Sequence, residues 1–188
     1  MHLPSMKSSL FILVFLSCFF NCSKEEMDVN TQLSSISVKL KSTTGEFDKV
    51  FLNIKDVQLK VTGDTNAPSA WKSLNAINGG TYNIFDLNAD SALILVNNFE
   101  INPTHIYEIR LVLGENNFVD LNNILYNLNT TDLGNSNPSN TVDMDLIPNH
   151  FYDITIDINI DKSLSFDENQ NMMVLNPELY TEIRQFQY

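Results

Sequence analysis

The stretch D-I-N-I-D-K-S-L-S-F-D-E, Asp157 to Glu168, is the part of this 188-residue chain that comes nearest to a motif with chemistry. Asp157, Asn159 and Asp161 fall at the first, third and fifth positions of a calcium-binding loop, and Glu168 falls at the twelfth. Lys162, however, stands where such a loop needs glycine for its sharp turn. Ile154, Ile156, Ile158 and Ile160 alternate in addition as a strand would. At 3.3 Å per residue a strand sets Asp157 and Asp161 about 13 Å apart, too far to share an ion that takes its oxygens at about 2.4 Å. A solvated outer face is therefore expected rather than a calcium site, with these four residues as the metal candidates.

Acid–base or nucleophilic chemistry finds little to use. His105 follows Asn102-Pro103 and His150 follows Pro148, and both are expected at strand starts beside loops. Neither is accompanied by G-x-S-x-G or H-E-x-x-H, so no catalytic residue is assigned and the chain reads as a non-enzyme. Six glycines, none in a G-x-G-x-x-G or Walker-type array, supply no phosphate cradle. Arg110 and Glu108 within one strand, Asp56, and Arg184 near the end suit ion pairs across an outer face. Among the aromatics Trp71, Tyr82, Phe85, Tyr107, Phe118, Tyr126 and Tyr152, most belong in a sandwich core. Trp71, next to a polar loop, is the candidate ligand residue, since an exposed aromatic rim would suit a carbohydrate.

The elements that must carry these residues follow a period of two. Ile36, Val38 and Leu40 alternate with polar neighbours, and so do Val50, Leu52 and Ile54. The next apolar set, Val57, Leu59 and Val61, is displaced by one residue, which predicts a β-bulge near Lys55-Asp56. Asn78-Gly79-Gly80 signals a turn before T-Y-N-I-F-D-L. I-Y-E-I-R-L-V-L (106–113) reads as a central strand with Tyr107, Ile109, Leu111 and Leu113 on one face. Residues 130–142 read as a long Asn/Ser-rich loop, and Tyr152–Ile160 as the cleanest strand. No apolar stripe at helical spacing appears. About seven to eight strands separated by turn signals predict an all-β antiparallel sandwich, immunoglobulin-like or transthyretin-like.

The N-terminal region addresses location. Leu10–Phe20 is nearly all apolar, too short for a membrane span and of the length of a signal-peptide core. The run ends at Cys22 and the chain turns polar, as in a lipoprotein signal. Cys22 is thus the expected lipid anchor, carrying a covalent lipid such as palmitate. Cys18 is the competing site, but its use would leave Phe19-Phe20 exposed at the start of the mature chain. The expected organisation is a signal peptide (1–21), a polar tether (22–32) and one domain (33–188). The full chain sets 11 basic against 23 acidic residues, a formal charge of −12. That balance argues against nucleic acid as a partner, because phosphate contacts need clustered Lys and Arg.

Ser23-Lys24-Glu25-Glu26 resembles the lipoprotein export signal of the Bacteroidetes group, in which a lysine and acids behind the lipidated cysteine direct the protein to the outer face of the outer membrane. The resemblance implies a cell-surface protein with Lys24, Glu25 and Glu26 as the export signal; the periplasmic face is the alternative. Asp90-Ser91-Ala92 resembles the short O-glycosylation acceptor of the same group.

From S-I-S-V-K-L (35–40) through F-D-K-V-F-L-N-I-K-D-V (47–57), W-K-S-L (71–74), Y-E-I-R-L-V-L (107–113) and D-I-N-I-D-K-S-L (157–164) to V-L-N-P-E (174–178), the chain resembles the domain-of-unknown-function 4382 lipoproteins. The family's small-residue P-S-G segment is absent, and the Asn/Ser-rich loop stands near its place. The resemblance implies a β-sandwich displayed on a bacterial envelope and hands over no catalytic residues. The expectation is a non-catalytic binding or scaffolding module held to the outer membrane by its lipid. Loops 63–70 and 130–145 would face an extracellular or envelope ligand. A carbohydrate- or calcium-binding surface module is the alternative.

Overall fold

The computed structural model describes residues 32–43, 49–64, 67–130, 132 and 134–187. The expectations for residues 1–21, Cys22, Lys24, Glu25 and Glu26 therefore lie outside the described residues. Those described form two facing β-sheets that do not close into a barrel, so the all-β sandwich expected from the period-two pattern is what the chain builds.

The first sheet has the order β13 (Glu178–Gln187), β10 (His150–Asn159), β1 (Ser34–Thr43) and β5 (Leu93–Ile101). The second is built on β2 (Lys49–Lys60). Along one edge of β2 lie β3 (Trp71–Ser73) and β4 (Gly80–Asn83). Along the other, β6 (His105–Leu113) and β7 (Phe118–Leu121) lie in tandem, β6 against Ile54–Lys60 and β7 against Lys49–Phe51. β9 (Ser139–Asp145) pairs with β6, and β8 (Ile124–Asn129) pairs with β7. β12 (Met172–Leu175) adds to β8, and β11 (Leu164–Asp167) adds to β12. A four-residue helix, α1 (Ile160–Ser163), carries the chain from β10 to β11.

The core lies between the sheets. Ile36, Val38 and Leu40 of β1 and Ile154, Ile156 and Ile158 of β10 face Val50, Leu52, Ile54, Val57 and Leu59 of β2 and Ile109 and Leu111 of β6, all essentially inaccessible. The predicted bulge is present: the β2–β6 register shifts between Ile54 and Asp56, Lys55 faces solvent, and the buried positions change from even to odd numbers. Tyr152 is fully buried and keeps its hydroxyl satisfied, accepting from Ile147 N at 2.7 Å.

Three features depart from the sequence reading. First, thirteen strands are present among the described residues, because β3, β4, β7, β11 and β12 span only three or four residues, too few to show a period. β9 begins inside the segment read as the 130–142 loop and runs on to Asp145, and β13 mixes apolar and polar residues. Second, two pairings are parallel, β1 with β10 and β8 with β12. The chain between β1 and β10 builds most of the second sheet, visiting the first once as β5, antiparallel to β1, before β10 returns parallel to β1; parallel pairing requires such a long connection. Third, Tyr107 does not share the buried face of Ile109. The β6–β9 register shifts between Ile106 and Glu108, which turns Ile106 inward and Tyr107 outward.

The gap between β6 and β7 would leave the middle of β2 without a ladder partner, and Asn117 fills it. Its buried side chain accepts from Asn53 N at 2.8 Å and donates to the Gly114 carbonyl at 2.6 Å, while Gly114 N donates to the Asn53 carbonyl at 2.7 Å. Replacing Asn117 with leucine strands the Asn53 N–H and should cost about 1–3 kcal/mol. Alanine at the exposed neighbour Asn116 should stay within about 0.5 kcal/mol of wild type. Urea unfolding of the two variants checks this, and equal midpoints would remove Asn117 from the account of the tandem strands.

Candidate functional site

The outer face of the second sheet carries a polar chain fixed by β2, β3, β6 and β9. Because the bulge turns Asp56, Gln58 and Lys60 outward, they meet the outward residues Glu108 and Arg110 of β6. Arg110 Nε donates to Gln58 Oε1 at 2.9 Å, and Gln58 Nε2 donates to Asp56 Oδ2 at 3.1 Å. Lys60 is mostly buried and reaches Glu108 Oε1 at 2.7 Å; the other Glu108 oxygen accepts from the Ser139 hydroxyl at 2.9 Å. The Lys60 hydrogen bond holds the Glu108 carboxyl below the ordinary range of glutamates, and burial lowers the Arg110 guanidinium from its usual value.

Trp71 is half-buried at the start of β3, and the Arg110 guanidinium lies 4.0 Å from its ring centroid. One face of the indole is thus covered by a cation–π contact rather than open to a sugar. Arg110, expected to meet a carboxylate across the sheet, instead divides its contacts between Gln58 and the indole.

His105 is the first residue of β6, and His150 is the first of β10. His150 donates from Nδ1 to the Pro148 carbonyl at 2.8 Å. His105 is held between two acids of β9, with Nδ1 2.8 Å from Asp145 Oδ1 and Nε2 3.1 Å from Asp143 Oδ1, and its ring meets Tyr107 edge-on. Asp143 has φ +49 at the β6–β9 irregularity, so the bulge that exposes Tyr107 also folds a second carboxylate under the ring. Both ring nitrogens face carboxylates rather than a hydroxyl or thiol that the imidazole could activate as a nucleophile.

The calcium candidates are spread over three elements. Asp157 lies on the outer face of β10, paired with Lys41 at 3.1 Å and accepting from the Thr43 hydroxyl at 2.9 Å. The strand ends at Asn159, whose side chain accepts from Lys162 N and caps α1. Asp161 therefore sits in a helical turn and not on the continued strand expected from the alternation, and Glu168 lies beyond β11 on an exposed turn. No group of three His, Cys, Asp or Glu among the described residues is arranged to hold a metal ion.

A surface that the sequence does not announce lies at the other end of the second sheet. Ile124 (56% exposed) and Tyr126 (42%) of β8 and Phe166 (54%) of β11 are exposed on the core-side face of this end, where Tyr126, Phe166 and Met172 line one hollow, and Leu125 (57%) is exposed on the opposite face. Tyr126, grouped by sequence with the core aromatics, belongs to this surface. The available signal was that Ile124-Leu125-Tyr126 lacks alternation directly after an Asn-Asn turn.

The acids beside His105 raise its pKa above the ordinary 6.5, Asp145 more than Asp143. Protonation therefore strengthens the β6–β9 contact below about that pH, and the contribution fades as pH rises through the elevated value. An NMR titration should place His105 above 6.5, and Asp145→Asn should move it back towards that value. An unchanged titration in the variant would mean that the acids do not govern the ring.

No curated protein and no solved structure matches the chain. A family model does, the one described as a domain of unknown function (DUF4382), over residues 33–177. The matched span includes β1 to β12, and it contains both the His105 clamp and the apolar end. The chain belongs to the DUF4382 family.

Proposed function

We propose that this protein is a lipid-anchored interaction module of the cell surface, working by binding rather than by catalysis. The observation that carries the reading is the exposed apolar end formed by Ile124, Leu125, Tyr126 and Phe166. Ile124, Tyr126 and Phe166 lie on the core-side face of the sheet where nothing covers them, with Leu125 exposed on the opposite face, and exposed apolar side chains gathered at one end mark a surface that meets a partner. The signal-like run Leu10–Phe20 ending at Cys22, followed by Lys24, Glu25 and Glu26, supports placement on the envelope. The carbohydrate alternative is weakened because Arg110 covers one face of Trp71, and the calcium alternative because Asp157 already pairs with Lys41.

Protease treatment of intact cells tests the placement. Wild type should be shaved from the surface. Replacing Lys24, Glu25 and Glu26 with alanine should protect the protein while leaving it lipidated, and Cys22→Ala should abolish lipid attachment. A wild-type protein that resists the protease until the cells are broken would instead place the module on the periplasmic side.

A further inference from the structure

The apolar end also contains an open strand edge. β7 and β8 are joined by Asn122 and Asn123, with φ of 53 and 64, the left-handed pair of a type I′ turn. Such a turn makes Leu121 and Ile124 a hydrogen-bonded pair, so bonded and non-bonded pairs alternate from there. Leu128 N donating to the Asn117 carbonyl at 2.9 Å agrees with that parity. Leu125 and Asn127 accordingly turn their backbone groups away from β7. On that side β12 is in register only through Met173↔Leu128 and Val174↔Asn129, and no strand among the described residues pairs with Leu125.

Natural sheets blunt free edges with lysine, proline or a bulge. The sequence Ile124-Leu125-Tyr126-Asn127 has no charge and no proline, and its pairing with β7 runs without a shift. Beside it are two adjoining hollows, of roughly 390 and 330 Å³, that share Tyr126, Asn171, Met172 and Met173. One extends along Asn127–Asn129, and the other reaches Leu121 and Phe166. Asp167 and Glu168 at the β11–β12 turn give the surroundings an acidic excess, and a third acid, Asp120, lies opposite Leu125. The cation Lys49 is already paired with Asp120 at 3.5 Å.

We propose that the β8 edge takes an extended segment of a partner protein as an added strand, apolar at alternate positions and flanked by Lys or Arg. The Leu125 N–H and C=O and the Asn127 N–H supply the ladder, the Asn127 carbonyl being already engaged by β12; the hollows take alternate side chains, and the acidic rim selects the basic flanks. A second copy of this chain is a poorer occupant, because it brings the same acids and a formal charge of −12 against the same rim. The inference rests on the interaction-module reading and names the partner of that surface.

Fluorescence anisotropy of the full chain in detergent, with a labelled Lys-Val-Thr-Val-Thr-Val-Lys peptide, tests it. A second peptide N-methylated at the valines keeps the side chains but loses those N–H donors. The unmodified peptide should bind, and N-methylation should weaken it at least about tenfold. Leu125→Pro removes an N–H that β7 does not use, and Leu125→Lys places a cation on the edge while keeping its backbone. Each should also weaken binding at least about tenfold, with circular dichroism checking that the sheets persist. Equal binding of both peptides would sink the added strand while leaving an apolar interaction surface. Absence of binding up to about 1 mM would overturn the inference, as would a dimer in light scattering that Leu125→Lys dissociates.

Discussion

The parallel ladder between β1 and β10 is the constraint on which the rest of the molecule depends. It runs in unbroken register from Ser35↔Phe151 to Thr43↔Asn159, joining residues more than a hundred positions apart. Its inward side chains supply the middle of one face of the core, flanked by Leu95 and Val96 of β5 and Leu179 of β13, and its outward side carries Lys39–Asp153 and Lys41–Asp157 at 3.0 and 3.1 Å. A pairing of such long range rewards the chain only after the intervening strands are placed, so folding is expected to be slow relative to local-contact domains.

The exposed end follows from the same topology. The four strands of the first sheet match the β6 end of the second, which is also four across, from β3 through β2 and β6 to β9. At the β7 end the second sheet is six across, because the chain leaving β10 turns through α1 and adds β11 and β12 beyond β8. Four strands leave part of a six-stranded end uncovered, and Tyr126 and Phe166 are what shows there. The polar chains elsewhere satisfy outward groups of the ladders. Lys60 is covered and answered by Glu108, and Arg110 is held by Gln58 and Trp71.

How legible this was in the sequence varied with the length of each element. β1, β2 with its bulge, and β10 could be read because each presents at least three alternations of apolar and polar residues. β3, β4, β7, β11 and β12 are held by their neighbours rather than by a pattern of their own. The direction of pairing was not readable, since alternation tells which face is buried and nothing about which strand lies alongside. At the candidate sites, the positions of His105 and His150 at strand starts followed from the prolines just before them. The acids beneath His105 arrive from β9, inside a segment that looked like a loop. The apolar end escaped notice because exposure of Ile124 and Leu125 is set by what does not cover them, a property of the whole sheet arrangement and not of any local motif.

Residue-resolved amide hydrogen exchange along β8 probes the open edge most directly. An uncovered edge predicts alternation: fast exchange at Leu125, whose N–H points away from β7, and strong protection at Tyr126 and Leu128, whose N–H groups point into the hairpin. Protection of Leu125 equal to that of Tyr126 in the isolated protein would contradict it, because the edge would then already be covered.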